Sequence, residues 1–369
     1  MSARHVVVGG GIVGLSVALE IARRGEDVLV LDAGRPASSL RSAAVVRTIA
    51  ADPTLALLAQ LSLSSFERWG EQVGGASPFE QCGVLVVLPD DSRSVRMSAI
   101  DAATASADAL TASGYVPPQH GIVYHDRRGG LIDPVRAVDA LRQAIETHGG
   151  RLATGLVTGI ESHNGDVTGV TTSAGSIPAE IVVVAAGGWT PQILGDLWPV
   201  SPFNLQRAEV ATFASEGPRP QLPLLDLCRG VLVRRWHNNE LLTSVRETAP
   251  ISIPEQADPQ CDIGGLRARI ETVLQSPLGR VTNQWAAVYD SAPDDRPYVG
   301  SIGPHLYVAA GFGGSGFKLA PAIGLFLADM VTEVEPAFDL SAFAPTRRAT
   351  APRVWDFGLR DHETVGVSA

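Results

Sequence analysis

Lysine is almost absent from this chain: among 369 residues there are 28 arginines and a single lysine, Lys318. Cysteine is scarce too. Cys82, Cys228 and Cys261 form an odd, scattered set with no CxxC spacing, which argues against a disulfide framework and a zinc site. Charged residues make up only 18%, and a net charge of -10 opposes any broad footprint for nucleic acid or anionic lipid. No apolar run approaches the ~18 residues of a membrane span. The run after His5 reaches Glu20 and Arg23-Arg24 without a small-x-small cleavage site, so no signal peptide is expected. The expected partner is a small molecule and the expected location is the cytoplasm. What remains is 45% hydrophobic with 38 Gly and 25 Pro, a globular, loop-rich composition long enough for two or three domains.

The first 34 residues carry the sharpest pattern. Val6-Val7-Val8 predicts a strand, Val13, Val17, Ala18, Ile21 and Ala22 predict a helix that stops at Gly25, and Val28 to Leu31 predict a second strand. Between strand and helix stands Gly9-Gly10-Gly11-Ile12-Val13-Gly14, a GxGxxG. Gly9 permits the tight turn, Gly11 lets the backbone approach a pyrophosphate, and Gly14 lets helix and sheet pack closely. The helix start presents free N–H groups to the anion. Asp32 closes the second strand at the spacing of a carboxylate that takes ribose hydroxyls. This frame makes the glycine motif a dinucleotide site, for NAD or for FAD.

Further along, Pro53 to Trp69 predicts a helix with Leu55, Leu58, Leu61 and Phe66 on one side, and Cys82 to Leu88 predicts a strand. An Ala/Ser-rich stretch at 91–113 reads as helical. Asp133-Pro134 marks a helix start, and Gly149-Gly150 its stop. Asn164-Gly165 marks a hairpin between Ile160 and Val167, and Ile181 to Val184 suits a central parallel strand buried on both faces. Residues 203–248 predict antiparallel strands. Leu306 to Ala310 enters a glycine loop, Gly311 to Lys318, before a helix from Leu319 to Val331. No second dinucleotide fingerprint appears, and the remaining strands of the first sheet return only after long insertions, a pattern that favours FAD.

In order along the chain, Val6 to Asp32, Arg41 to Arg47, Gly130 to Pro134, Val157 to Ile160, Val182 to Trp189, Ala292 to Gly300 and Ala310 to Pro321 resemble the FAD-dependent amino acid oxidase (DAO) family, which includes sarcosine and glycine oxidases and D-arginine dehydrogenase. The resemblance implies an α/β fold with α+β insertions. A Rossmann-like FAD-binding domain with a parallel sheet would comprise 1–80, 130–202 and 280–345. A substrate domain with a mainly antiparallel sheet would comprise 81–129 and 203–279, leaving 346–369 as a tail. It implies cofactor contacts from Gly9, Gly11, Ile12, Val13, Gly14, Asp32 and Ala33, and from Arg41, Ser42, Ala43 and Ala44 along the flavin ring. Val157 would meet adenine, and Ala185, Gly187 and Trp189 would lie near the cofactor. Gly311, Gly313, Gly314, Ser315, Gly316, Phe317 and Lys318 would cover the flavin pyrimidine edge. A glycine loop opening a helix agrees physically, since its N–H groups and positive helix end suit the charge that develops on reduced flavin.

The sarcosine oxidase group places a lysine at the Lys318 position, where it helps to bind a substrate carboxylate. The plain alternative is a solvated lysine, but in a chain that uses arginine everywhere else a generic surface role does not explain the exception. Arg47 reads either as a substrate- or flavin-facing residue or as a surface ion pair. Tyr289 reads as a pocket wall, Trp285 as wall or core, and Arg296 as an ion-pair partner of its acidic neighbours. His5, His120, His125, His148 and His163 show no ligand spacing and read as surface residues. Family members that attach flavin covalently use a cysteine before a tyrosine in the matching strand, where this chain has Ala287-Val288-Tyr289. Other relatives use a histidine, and none stands within 38–47. Non-covalent FAD is expected.

The implied activity is oxidation of an amino acid or N-alkyl amino acid to an imine, with O2 or another acceptor taking the electrons. Alternatives are a flavin oxidase of 2-hydroxy acids, an NADPH-dependent hydroxylase of the same broad fold, and an FAD-bearing subunit of a heteromeric amine dehydrogenase.

Overall fold

Valine-rich strands build the first sheet because both its faces are covered. The computed structural model describes residues 2–35, 38–50, 52–89, 102–198, 204–217, 219–252, 261–347 and 349. Ala3–Val8 lies between Val28–Asp32 and Gly175–Val184, parallel to both, with Arg151–Thr154 parallel on one flank and Leu306–Ala310 parallel on the other. Val182, Val183 and Val184 are fully buried, as the continuous apolar run implies for a strand covered on two sides. The first half of Gly175–Val184 pairs antiparallel with Asp166–Thr172, which turns through Asn164 (φ 52°) and Gly165 (φ 92°) into Val157–His163. Those two left-handed residues are what the Asn-Gly signal calls for.

The Ile12–Arg23 helix covers one face and is buried along almost its whole length. It packs against the Gly316–Val331 helix, where a Cβ added at Gly324 would meet Ser16 backbone and side-chain atoms at 2.7 Å. That glycine lets the two helices touch. Pro321 lies inside the second helix, and Ser62 Oγ, from the Pro53–Glu67 helix, accepts the N–H of Ala322 at 3.1 Å. Asp52 and Asp133 cap their helices through Oδ1, each followed by a proline in the first turn.

A second eight-stranded sheet runs in the order Leu278–Ser291, Asn204–Ser215, Glu240–Ile251, Val231–Arg235, Leu224–Asp226, Val84–Leu88, Ile122–Asp126 and Ala102–Thr104. All its pairs are antiparallel except Leu224–Asp226 with Val84–Leu88. A small sheet of Val45–Val46, Gly130–Ile132 and Phe79–Gln81 sits apart from both. The architecture is therefore mixed α/β, a parallel Rossmann-like sheet joined to antiparallel ones.

Four expectations need correction. Within the 91–113 stretch Ala102–Thr104 is an edge strand and only Ala107–Ala112 is helical, while 91–101 lies outside the described residues. Pairing with Ile122–Asp126 overrides the helical bias of alanine there. The Pro53 helix ends at Glu67, and Trp69–Gln72 forms a separate short turn. His5 is buried, 1% exposed, because its strand is central. Arg296 pairs through its side chain with Asp52 at 2.6 Å, and Arg347 takes Asp294 instead.

Candidate active site

A cavity of about 360 Å³ lies along the C-terminal ends of the parallel strands, the place where an open α/β sheet leaves a crevice. Its walls include Asp32, Ala33 and Val157, the glycine-turn residues Gly9, Gly11, Ile12 and Val13, the residues Ala185, Gly187 and Trp189 that follow the Gly175–Val184 strand, and Ser42, Tyr289, Gly314, Gly316 and Phe317. Gly14 stands just behind: a Cβ there would sit 2.1 Å from the carbonyl oxygen of Gly9, so the helix keeps its distance to the turn only with glycine. Gly9 itself has φ 112°, and its added Cβ would lie 2.4 Å from the Ala185 oxygen.

The Asp32 carboxylate accepts the N–H groups of Gly10 and Gly34, each at 2.7 Å, which fixes it at the cavity wall. At the helix start Ser39 Oγ accepts the Ile12 N–H at 3.0 Å. A cavity lined by a fixed carboxylate, by helix-start N–H groups and by the backbone of two glycine turns fits a dinucleotide. Arg41, Ala43, Ala44, Gly311, Gly313, Ser315, Arg47 and Lys318 do not line this cavity. Arg41 instead donates to the Ala286 oxygen at 2.9 Å and accepts the Trp285 indole N–H through its carbonyl.

The glycine loop is seated on the end of the Leu278–Ser291 strand. Gly311, Gly313 and Gly314 have φ 80°, 56° and 81°, a left-handed run that glycine tolerates. The Gly311 N–H reaches Asp290 Oδ2 at 2.7 Å, and the Gly313 N–H reaches the Asp290 carbonyl at 2.8 Å. The Tyr289 ring lies under Gly314, where a Cβ would meet it at 3.4 Å. Burial pushes the Asp290 carboxyl up to about 6. Asp290, Arg35, Ser38 and Ser39 also line the cavity and had no role assigned from sequence, while Gly10 and Phe312, which line it too, lie inside the two glycine motifs. Asp290 and Ser39 adjoin segments that were singled out, and that adjacency was the available signal.

The loop delivers Lys318 to an enclosed position, 5% exposed, in the first turn of its helix. Among the described residues it forms no ion pair. Burial, and then the Arg47 guanidinium, hold its amine well below the usual lysine range, with Asp295 opposing weakly. Burial also lowers Arg47 to about 10. Arg47 donates to the Ile49 oxygen, and the next residue is pinned by Asp126, whose Oδ2 accepts the Thr48 N–H at 2.5 Å and its hydroxyl at 2.9 Å. Arg47 and Lys318 thus feel each other's charge, and neither has a carboxylate partner among the described residues. Such an arrangement is costly unless an anion joins it.

A Rossmann-type crevice with this glycine frame and acid defines a dinucleotide-dependent oxidoreductase. The family profile for FAD dependent oxidoreductases, DAO, matches residues 4–330. The chain belongs to that family, and it is an FAD-dependent oxidoreductase. It is 27% identical to glycine oxidase of Pseudomonas putida, over 94% of this chain and the whole of that protein. It is also 27% identical to the formaldehyde-forming 4-methylaminobutanoate oxidase of Paenarthrobacter nicotinovorans, over 92% of this chain but only 45% of that longer protein. In fold it superimposes on glycine oxidase from Geobacillus kaustophilus with a TM-score of 0.81 at 21% identity, covering 94% and 99% of the two chains. Among the described residues no helix is long and apolar enough to cross a membrane.

Proposed function

We propose that this enzyme oxidises the C–N bond of an amino acid or N-alkyl amino acid, whose carboxylate is held between Lys318 and Arg47. The carrying observation is a buried Lys318 beside a part-buried Arg47, neither with a carboxylate partner among the described residues, at the end of the glycine loop that walls the cofactor cavity. A carboxylate entering there relieves the repulsion between the two groups and draws a proton onto Lys318, giving a charge-assisted contact of about 1.5–3 kcal/mol. The relatives named for glycine and 4-methylaminobutanoate act on substrates with an amine and a carboxylate, which supports the same reading.

Gly9, Gly11 to Val13, Asp32 and Ala33 would hold the adenosine and pyrophosphate portion of FAD, and Ser42, Tyr289, Gly314, Gly316 and Phe317 its ring. FAD, when bound, supplies the acceptor for the hydride that leaves the carbon beside nitrogen, and water then hydrolyses the imine to a keto acid or aldehyde. Tyr289 walls the cavity, Asp126 keeps Arg47 in place through Thr48, and Lys318 and Arg47 orient the substrate. Orientation of this kind is the principal service such a site renders, because a neutral amine needs no protein base to lose hydride.

The test is anaerobic bleaching of the bound flavin by a panel of D-, L- and N-methyl amino acids, with 2-hydroxy acids in parallel, followed by Lys318→Met and Lys318→Arg. The expected result is bleaching by one amine class and a large rise in KM in both variants with FAD still bound. Unchanged KM and turnover in the variants, or bleaching by 2-hydroxy acids alone, defeats the reading.

A further inference from the structure

Arg234, in the Val231–Arg235 strand of the antiparallel sheet, is 6% exposed and forms no ion pair among the described residues. Its guanidinium is spent on carbonyl oxygens. One nitrogen donates to Ala43, to Ile132 at 3.1 Å and, at the limit, to Ala44 at 3.5 Å, while Nε donates to its neighbour Arg235 at 3.2 Å. The Trp236 ring lies 4.9 Å from the guanidinium carbon.

The carbonyls it holds belong to an unusual piece of backbone. Ala44 has φ 45°, in the left-handed region that a non-glycine residue seldom occupies. Its N–H is taken by Ser42 Oγ at 3.0 Å and its carbonyl by the Ile132 N–H at 2.9 Å. Ser42 itself is a wall of the cofactor cavity. Arg234 therefore reaches from the antiparallel sheet, through the small three-stranded sheet, to the rear of the segment whose front faces the cofactor. An inter-sheet staple alone does not need a buried, unpaired cation, which is among the costlier ways to join two sheets.

We propose that Arg234 is a positioning residue for the cofactor: it holds the strained Ser42–Ala44 turn against the FAD cavity from behind. The inference rests on FAD dependence alone and stands whatever the substrate proves to be. Lysine does not replace it, because a single ammonium on a flexible stem lacks the second donor, Nε, whose bond to the Arg235 carbonyl fixes the plane that aims the other nitrogen at Ala43 and Ile132.

The experiment compares full-length Arg234→Met and Arg234→Lys with the unaltered chain by FAD titration of the apo-protein, by visible-region circular dichroism of the bound flavin, and by melting of the apo-protein. Both variants are expected to raise the FAD Kd at least about tenfold, the order of one lost charge-assisted hydrogen bond, and to alter the flavin dichroism. Variants that melt lower yet bind FAD with unchanged Kd and dichroism overturn the proposal and leave Arg234 as a sheet staple. If neither variant folds, Trp236→Leu decides by removing the ring beside the guanidinium while leaving its donors intact. A smaller rise in Kd is then expected, and an unchanged Kd overturns the proposal.

Discussion

Replacing Asp290 by asparagine should make the apo-protein more stable at pH 8 and leave it almost unchanged at pH 4. Asp290 borders the cofactor cavity, and its Oδ2 accepts the Gly311 N–H at 2.7 Å. Burial raises its carboxyl from the ordinary 3.8 to about 6, against the lowering effect of backbone N–H groups. A folded-state pKa above the unfolded one means that the folded form binds the proton more tightly. The associated stability is therefore complete below pH 3.8 and is lost as pH rises to about 6. A shift of that size corresponds to roughly 3 kcal/mol, and water in the open cavity screens part of it, so about 1–3 kcal/mol is the working range. Asparagine keeps an oxygen for the Gly311 N–H and carries no charge at any pH, so it escapes the loss.

The measurement is the difference in unfolding midpoint between variant and parent across pH 4 to 8, on protein stripped of FAD. The gain should grow between pH 4 and about 6 and then level off. A gain of equal size at both ends would mean that packing, not charge, is responsible. A loss at pH 8 would mean that the carboxylate is needed to hold the loop, and either result would refute the reasoning.

Three further outcomes follow. A non-reactive carboxylate such as acetate should bind the FAD-loaded enzyme more tightly as pH falls through the depressed Lys318 range, because only the protonated amine pairs with it; flat affinity from pH 5 to 9, measured by flavin difference spectra, counts against that role. Gly324→Ala places a Cβ 2.7 Å from Ser16 backbone, and the overpacking cost of about 1–3 kcal/mol or more exceeds the roughly 1 kcal/mol that alanine gains in a helix, so the melting temperature should drop; an unchanged or raised value refutes the close packing. Acid precipitation should leave all yellow colour in the supernatant, since Ala287-Val288 precede Tyr289 where the resemblance would call for a cysteine in covalent attachment, and colour in the pellet contradicts non-covalent FAD.

Much of the parallel sheet was legible because its signals are local. A glycine turn, an amphipathic helix and a valine run each depend on residues a few positions apart, and Gly9 to Asp32 carries all three. The candidate site was legible only in part. Lys318 was conspicuous as the single lysine, but that it is enclosed near Arg47 without an ion pair depends on packing. Asp126, which pins Thr48 from 78 residues away, gave no signal at all. Asp52 meets Arg296 across 244 residues, although Arg296 has acidic neighbours in sequence that looked sufficient.

By itself, then, the sequence determined the nucleotide-binding unit, the order of the principal strands and helices, and the identity of the one ammonium. Those follow from steric limits on glycine, from side-chain periodicity and from composition. Tertiary structure decided which charges go unpaired, that Arg234 braces the Ser42–Ala44 turn, and that Asp290 anchors the loop leading to Lys318. Desolvation and hydrogen-bond partnership are set by groups distant along the chain, so they come into being only when the sheets meet.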